Sequence, residues 1–166
     1  MEVIDGATSQ SSTHSSERRL VLVVTAGALV CAIPLRHVVE TMRPLPVVPV
    51  AGTPDFVSGV SLIRGVPTPV VDLRALLSKE APVGAGTRFV TLKLGERRVA
   101  LCVDGVVGPR KLDSAQLGEL PPILGDAADL VEAVGTLDAQ LLLVLRASRI
   151  VPEAVWNTLA AEEAGR

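Results

Sequence analysis

FVSGVSLIRGVPTPVVDLR, residues 56–74, is the part of the chain whose pattern most clearly indicates a fold. Two apolar runs, at 60–63 and 66–71, are separated by Arg64 and Gly65. Glycine tolerates the backbone conformation that a tight turn or a bulge requires. The stretch therefore predicts a strand, a tight turn and a second strand, followed by the start of a helix.

The second of these strands contains two prolines, Pro67 and Pro69. Neither has an N–H group, and their spacing points both nitrogens to the same side of the strand. This spacing predicts an edge strand or a bulge. Residues 72–77 then predict one or two helical turns with Asp72 as the N-cap.

The rest of the chain continues the same pattern of short runs that are rich in Val and Leu and are separated by Gly or Pro. Such a pattern is typical of all-β barrels. Residues 22–32 and 90–100 even share one pattern of strand, glycine-containing turn and strand, which hairpin patterning explains as well as duplication does. We count ten runs, at 20–25, 28–33, 36–42, 60–63 and 66–71 in the first half, and at 88–94, 97–103, 106–111, 131–137 and 140–145 in the second.

The remaining segments define the expected domain organisation. Residues 1–18 are polar and rich in Ser and Thr, which predicts a disordered leader. Residues 148–166 predict a C-terminal helix that starts near Pro152 and packs on a barrel, with Trp156 on its apolar side. The folded domain is expected over residues 19–156, with first-barrel strands at about 20–77, a linker at 78–87 and second-barrel strands at about 88–146.

Composition excludes several classes of function. The net charge is −2, so there is no basic excess for binding nucleic acid. Cys31 and Cys102 are the only cysteines, too few for a disulfide framework or a four-thiolate zinc site. The uncharged residues 20–35 are shorter than the roughly 18–20 residues of a membrane span and contain Gly27 and Pro34. We therefore expect a cytoplasmic protein with no direct membrane insertion, no metal and no cofactor.

Catalytic motifs are missing from the sequence. It has no Gly-x-Ser-x-Gly elbow, no glycine-rich phosphate loop with Lys and Ser or Thr, and no His-Glu-x-x-His zinc helix. The sequence therefore predicts a protein that is not an enzyme. A pocket with perturbed titratable groups, invisible to motif searches, is the alternative.

Arg64 is the charged residue that the predicted turn would present. A rigid turn holds such a side chain where a partner protein can contact it. The same side chain can instead pair with a nearby acid, such as Asp72 or Glu40, in a purely structural role. From the residues alone, both interpretations stand.

Residues 56–74 resemble the CheW family, in which a glycine is followed by an Asn-Leu-Arg-Gly turn, a proline and Asp-Leu-Arg. Leu62 and Ile63 stand here where that turn has Asn and Leu. The resemblance extends over about residues 20–156, through segments at 35–40, 46–56, 103–108 and 135–145. The matching positions in the decisive stretch are Gly59, Arg64, Gly65, Pro69, Asp72, Leu73 and Arg74.

The resemblance implies two intertwined five-stranded SH3-like barrels that share an apolar seam. It implies an adaptor that couples a chemoreceptor, a methyl-accepting chemotaxis protein, to the histidine kinase CheA. One barrel would dock on the regulatory domain of CheA, and a groove between the barrels would hold the tip of the receptor's cytoplasmic hairpin. The alternative is a regulator or scaffold of a divergent chemosensory pathway that binds receptor without kinase. Carried over by position, the partner-binding residues are Val38, Glu40, Gly59, Arg64 and Gly65, with Glu40 orienting Arg64.

Overall fold

The computed structural model describes residues 18–78 and 87–164. The predicted leader and linker lie outside these residues, except for Arg18, which begins the first strand, Ser78, which ends the first helix, and Thr87, which precedes β6. The described strands are β1 (Arg18–Ala26), β2 (Leu29–Pro34), β3 (Val38–Met42), β4 (Val57–Ile63), β5 (Val66–Asp72), β6 (Arg88–Leu94), β7 (Arg97–Val103), β8 (Gly105–Asp113), β9 (Val131–Leu137) and β10 (Gln140–Leu145). The helices are α1 (Leu73–Ser78) and α2 (Glu153–Ala164), with short 3-10 helices at Leu35–His37, Ser114–Gln116, Pro122–Asp129 and Ala147–Arg149.

The strands form two five-stranded sheets. Sheet A has the strand order β8-β1-β2-β10-β9, and sheet B has the order β3-β6-β7-β5-β4. Each sheet contains one parallel pair, β2 with β10 and β5 with β7, and is otherwise antiparallel. The predicted fold class, mainly β with two intertwined five-stranded barrels and a C-terminal helix, is confirmed.

The division of the strands between the barrels differs from the prediction. Each sheet takes a hairpin from one half of the chain and three strands from the other half. The cause is a pair of crossings. Pro34 ends β2 and has no N–H to extend the ladder, so the 3-10 helix Leu35–His37 carries the chain to sheet B. Asp104 likewise separates β7 of sheet B from β8 of sheet A.

The two similar sequence segments occupy equivalent places in the two sheets. Residues 22–32 fall on the β1–β2 hairpin and residues 90–100 fall on the β6–β7 hairpin. Each hairpin pairs with one antiparallel strand, β8 or β3, on its outer side and with one parallel strand, β10 or β5, on its inner side. The sequence similarity therefore corresponds to one strand topology used twice.

A shared apolar seam joins the sheets. Leu22 and Val24 of sheet A lie in the same buried cluster as Val90 and Leu92 of sheet B. Burying an aliphatic side chain of this size contributes about 1.5–3 kcal/mol. Burial of the seam therefore stabilises the contact between the two sheets.

Both helices begin as the sequence predicts. The backbone N–H of Ala75 donates to Asp72 Oδ1 at 3.0 Å, so Asp72 caps α1. Helix α2 follows Pro152, and its Trp156 packs against the apolar seam. Arg97 of β7 fixes the start of α2 by donating to both carboxylate oxygens of Glu153, at 2.8 and 2.7 Å.

The two prolines of β5 mark neither an edge strand nor a bulge, so that prediction is wrong; the register shift of the β4–β5 ladder falls at Val57 and Gly59. β5 lies between β4 and β7 in sheet B. Pro67 and Pro69 face Leu62 and Val60 of β4, and the parallel ladder to β7 begins only at Val70. The prolines are tolerated because they precede the part of β5 that pairs on both sides.

Candidate partner-binding surface

The turn between β4 and β5 is a tight two-residue connection. Ile63 and Val66 close it as a register pair, and Arg64 and Gly65 between them have φ angles of 49° and 77°. Two consecutive left-handed residues match the twist of the flanking strands, and glycine adopts this conformation without steric cost. The turn therefore fixes the backbone that carries Arg64, whose side chain is 72% exposed.

Arg64 forms a forked ion pair with Glu40 of β3. Its Nε donates to Glu40 Oε1 and its Nη2 donates to Oε2, both at 2.8 Å. Asp72, the other acid considered from sequence, caps α1 instead. The structure thus assigns Arg64 a structural partner while leaving most of its side chain in solvent.

Electrostatics follow from this geometry. The hydrogen bond from Arg64, together with the positive charges of Arg64 and Arg98, holds the pKa of the Glu40 carboxyl below its ordinary value. The same hydrogen bond raises the pKa of the Arg64 guanidinium. The pair is therefore fully ionised at neutral pH.

Exposed apolar side chains flank the pair. Val39 is 50% exposed beside Glu40, Leu62 is 66% exposed and Val66 is 38% exposed on the strands next to the turn. Val39, Glu40 and Arg64 also line a cleft of about 100 Å³. A restrained guanidinium with exposed apolar residues on the neighbouring strands is a composition that suits a protein–protein contact.

The five predicted partner-binding residues do not all lie on this surface. Glu40, Arg64 and Gly65 meet at the turn, and Gly65 is exposed. Val38 is only partly exposed because it packs against the apolar seam. Gly59 is buried in β4, so it contributes no exposed surface beside the turn, and its contact with a partner stays a prediction.

Gly59 instead allows another part of the backbone to approach β4 closely. Its φ is 142°, and a Cβ there would lie 2.1 Å from the carbonyl oxygen of Val48. Val48 and Val60 exchange two backbone hydrogen bonds of 2.9 Å, which hold the segment before β4 against that strand. Only glycine permits this approach.

Sequence reasoning missed Val39 and Leu62 as surface residues. The signal was present in the strand period, because neighbouring residues of a strand point to opposite faces. Ile63 is buried in sheet B and Leu62 beside it faces solvent.

The described residues offer neither a metal site nor a membrane-spanning helix. The described ranges, 18–78 and 87–164, contain no group of three or more His, Cys, Asp or Glu side chains arranged to hold a metal ion. Burial raises the pKa of the Cys31 thiol to about 12. None of the helices that the structure describes has the length and apolar character needed to cross a bilayer.

Comparison with known proteins places the chain in a family. The CheW-like domain model matches residues 20–155. Protein FrzA of Myxococcus xanthus is 35% identical over 114 residues, which cover 68% of this chain and 70% of FrzA. The chain belongs to the CheW family. The chemotaxis protein CheW of Klebsiella aerogenes is 29% identical over 104 residues, covering 61% of this chain and 63% of that relative.

A solved CheW structure agrees with the fold. The scaffolding protein TtCheW from Thermoanaerobacter tengcongensis superposes with a TM-score of 0.68 at 18% identity, covering 78% of this chain and 89% of that chain. As a CheW-family member, this protein is a scaffold or adaptor of chemotaxis signalling and not an enzyme.

Proposed function

We propose that this CheW-like protein couples a chemoreceptor to the histidine kinase CheA in the cytoplasm. It would bind the regulatory domain of CheA and the hairpin tip of the receptor, and so place both in one signalling array. An adaptor of this kind needs no chemistry, because a binding equilibrium that depends on the receptor's state is enough to transmit the signal.

The observation that carries the proposal is the exposed, forked pair of Arg64 and Glu40. A guanidinium has five N–H donors, and Glu40 uses two of them, so three remain for a partner. Because Glu40 and the rigid turn already restrain the side chain, less conformational entropy is lost on binding. Arginines held in this way are common among the residues that dominate interface energies.

The apolar neighbours support the same conclusion. Val39 and Leu62 expose about half or more of their side chains beside a charged group that carries the directional contacts. Removal of such apolar surface from water adds affinity without adding specificity. A partner that fits would place carbonyl or carboxylate oxygens against Arg64 and apolar side chains against Val39 and Leu62.

The proposal is tested by titrating the purified CheA regulatory domain and a receptor hairpin fragment, separately, into the full chain. We expect both to bind wild type and at least one to bind Arg64→Ala about tenfold or more weakly, as for a dominant interface residue. Arg146→Ala, an exposed arginine after β10, is the matched control and should leave both affinities unchanged.

The outcomes separate the two candidate roles. Binding to the receptor fragment without binding to the kinase domain would favour the regulator of a divergent pathway. Equal affinities for wild type and Arg64→Ala with both partners would contradict a role for this surface.

A further inference from the structure

A groove at the start of β1 is both apolar and basic. It has a volume of about 600 Å³. Leu20, Pro34 and Leu35 contribute apolar surface, and Leu20 is 52% exposed. Three arginines, Arg18, Arg19 and Arg36, line the same groove.

The positive charge of the groove is only partly neutralised. Arg19 Nη1 lies 2.6 Å from Glu132 Oε1. Arg18 and Arg36 are exposed and form no ion pair with an acid of residues 18–78 or 87–164. Lys111 of β8 stands opposite Leu20 in the register and adds a further cation nearby. The groove therefore favours an acidic occupant.

The backbone at the groove is open on one side. Residues 18–20 of β1 pair with β8, but the pairing of β1 with β2 begins only at Val21, opposite Pro34. Beyond Pro34 the chain turns away into the 3-10 helix Leu35–His37. An extended segment can add to a free strand edge through backbone hydrogen bonds, with alternate side chains supplying specificity.

We propose that residues 2–5 of this same chain, Glu2-Val3-Ile4-Asp5, occupy the groove. Val3 and Ile4 match its apolar side chains, while Glu2 and Asp5 match Arg18 and Arg36. Residues 1–17 contain three acids and no Lys or Arg, whereas residues 18–166 contain all 16 Lys and Arg and the other 15 of the 18 acids. Residues 1–17 and residues 18–166 therefore carry opposite net charge.

The residues between the segment and the groove are numerous enough to let the two meet, and few enough to keep them close together. Twelve residues, 6–17, separate Asp5 from Arg18. A chain of that length spans at most about 40 Å. Because Arg18 itself lines the groove, the segment is present there at an effective concentration of roughly millimolar. Weak contacts are then sufficient for occupancy, and an external partner at this groove would have to displace residues 2–5.

The test uses the methyl resonances of Leu20 and Leu35 in the full chain. Glu2→Gln with Asp5→Asn removes two negative charges from the proposed occupant. Ser11→Lys with Ser12→Lys changes the net charge by the same amount in the connection between residues 2–5 and Arg18. We expect the first double variant to shift both methyl signals and the second to leave them in place.

A charge exchange completes the test. Arg18→Glu with Arg36→Glu should abolish the wild-type methyl positions, and adding Glu2→Lys with Asp5→Lys should restore them. Unchanged signals in the Gln/Asn variant, or equal shifts in the Ser11 and Ser12 variant, would overturn the proposal. Signals that depend on protein concentration would also overturn it, because a second copy would then be the occupant. None of these results depends on the receptor or the kinase.

Discussion

Glu40 and Arg64 connect the two opposite edges of sheet B. β3, which carries Glu40, is one edge strand, and Arg64 lies in the turn that directly follows β4, the other edge strand. The pair therefore joins these two edges, between which the strands of residues 18–78 and 87–164 form no ladder. The same contact fixes the guanidinium that remains exposed, so the structural and the partner-binding interpretations of Arg64 describe one interaction.

The ionisation of Glu40 reports this contact. In the wild-type protein its pKa should lie below the usual 4.5, because Arg64 stabilises the carboxylate. A lowered pKa means that the pair stabilises the fold at neutral pH and that this contribution is lost as the pH falls through the folded-state value. In Arg64→Ala we expect the pKa of Glu40 to rise towards its ordinary value, measured by NMR titration of the carboxyl carbon.

Glu153 provides the internal control for that titration. Its pKa is also lowered, by the hydrogen bond from Arg97 at the start of α2. Loss of Arg64 should leave it unmoved. If Glu40 titrates identically with and without Arg64, the ion pair does not persist in solution.

Exchanging the two charges distinguishes the role of the ion pair in the fold from the role of the Arg64 guanidinium in binding a partner. Glu40→Arg with Arg64→Glu retains an ion pair between the edges but presents a carboxylate in place of a guanidinium. We expect a melting temperature close to that of wild type, since exposed ion pairs contribute little to stability. Partner affinity should fall about as far as in Arg64→Ala, because the hydrogen-bond donors are gone. Wild-type affinity in the exchanged variant would mean that the pair only joins the two edges of sheet B.

Gly59 should be a structural position. Gly59→Ala would place a Cβ against the Val48 carbonyl, and we expect the free energy of unfolding to fall by about 3 kcal/mol or more. Gly65→Ala is the matched control, because a Cβ at Gly65 meets nothing within 4 Å. That change should cost only about 1–2 kcal/mol for the left-handed backbone. Urea denaturation measures both, and equal losses would contradict the assigned role of Gly59.

Asp104 should couple the two sheets where the chain crosses between them. Its Oδ2 accepts hydrogen bonds from the Gly27 N–H in the β1–β2 turn and from Arg74 Nη2 of α1, the latter at 3.0 Å. We expect Asp104→Ala to lower the free energy of unfolding by about 1–2 kcal/mol, since the site is partly exposed. Asp55→Ala, an exposed acid before β4, should change it by less than about 0.5 kcal/mol.

The effect of Asp104→Ala should appear in one cooperative transition, because the apolar seam joins both sheets. Two separate transitions in the wild-type protein, by circular dichroism and by Trp156 fluorescence, would show instead that the sheets unfold independently.

Local features were predictable from the sequence because their causes are local. Gly65 after Arg64 predicts a tight turn because a left-handed residue is needed there, and Asp72 before an apolar helical run predicts a cap. The similarity of two hairpins was also visible. The turn, the cap and each hairpin are formed by residues that lie close together in the sequence.

Features that depend on distant residues were not predictable. The exchange of hairpins between the sheets is set by where the chain crosses from one sheet to the other. The pattern of apolar runs is the same whether each sheet is built from one half of the chain or the hairpins are exchanged. Pro67 and Pro69 indicated an edge because the sequence does not show that β7 pairs with β5 only after them. The burial of Gly59 was not predictable because its contact, Val48, comes from a segment without regular structure.

The Nε–H resonance of Arg64 in the isotopically labelled full chain reports directly whether this side chain contacts a partner. On addition of the unlabelled CheA regulatory domain or receptor hairpin, we expect this signal to shift or broaden with at least one partner, together with the amides of Val39 and Leu62, while Arg146 stays unchanged. Binding of both partners with no change at Arg64, Val39 or Leu62 would show that this surface does not contact them.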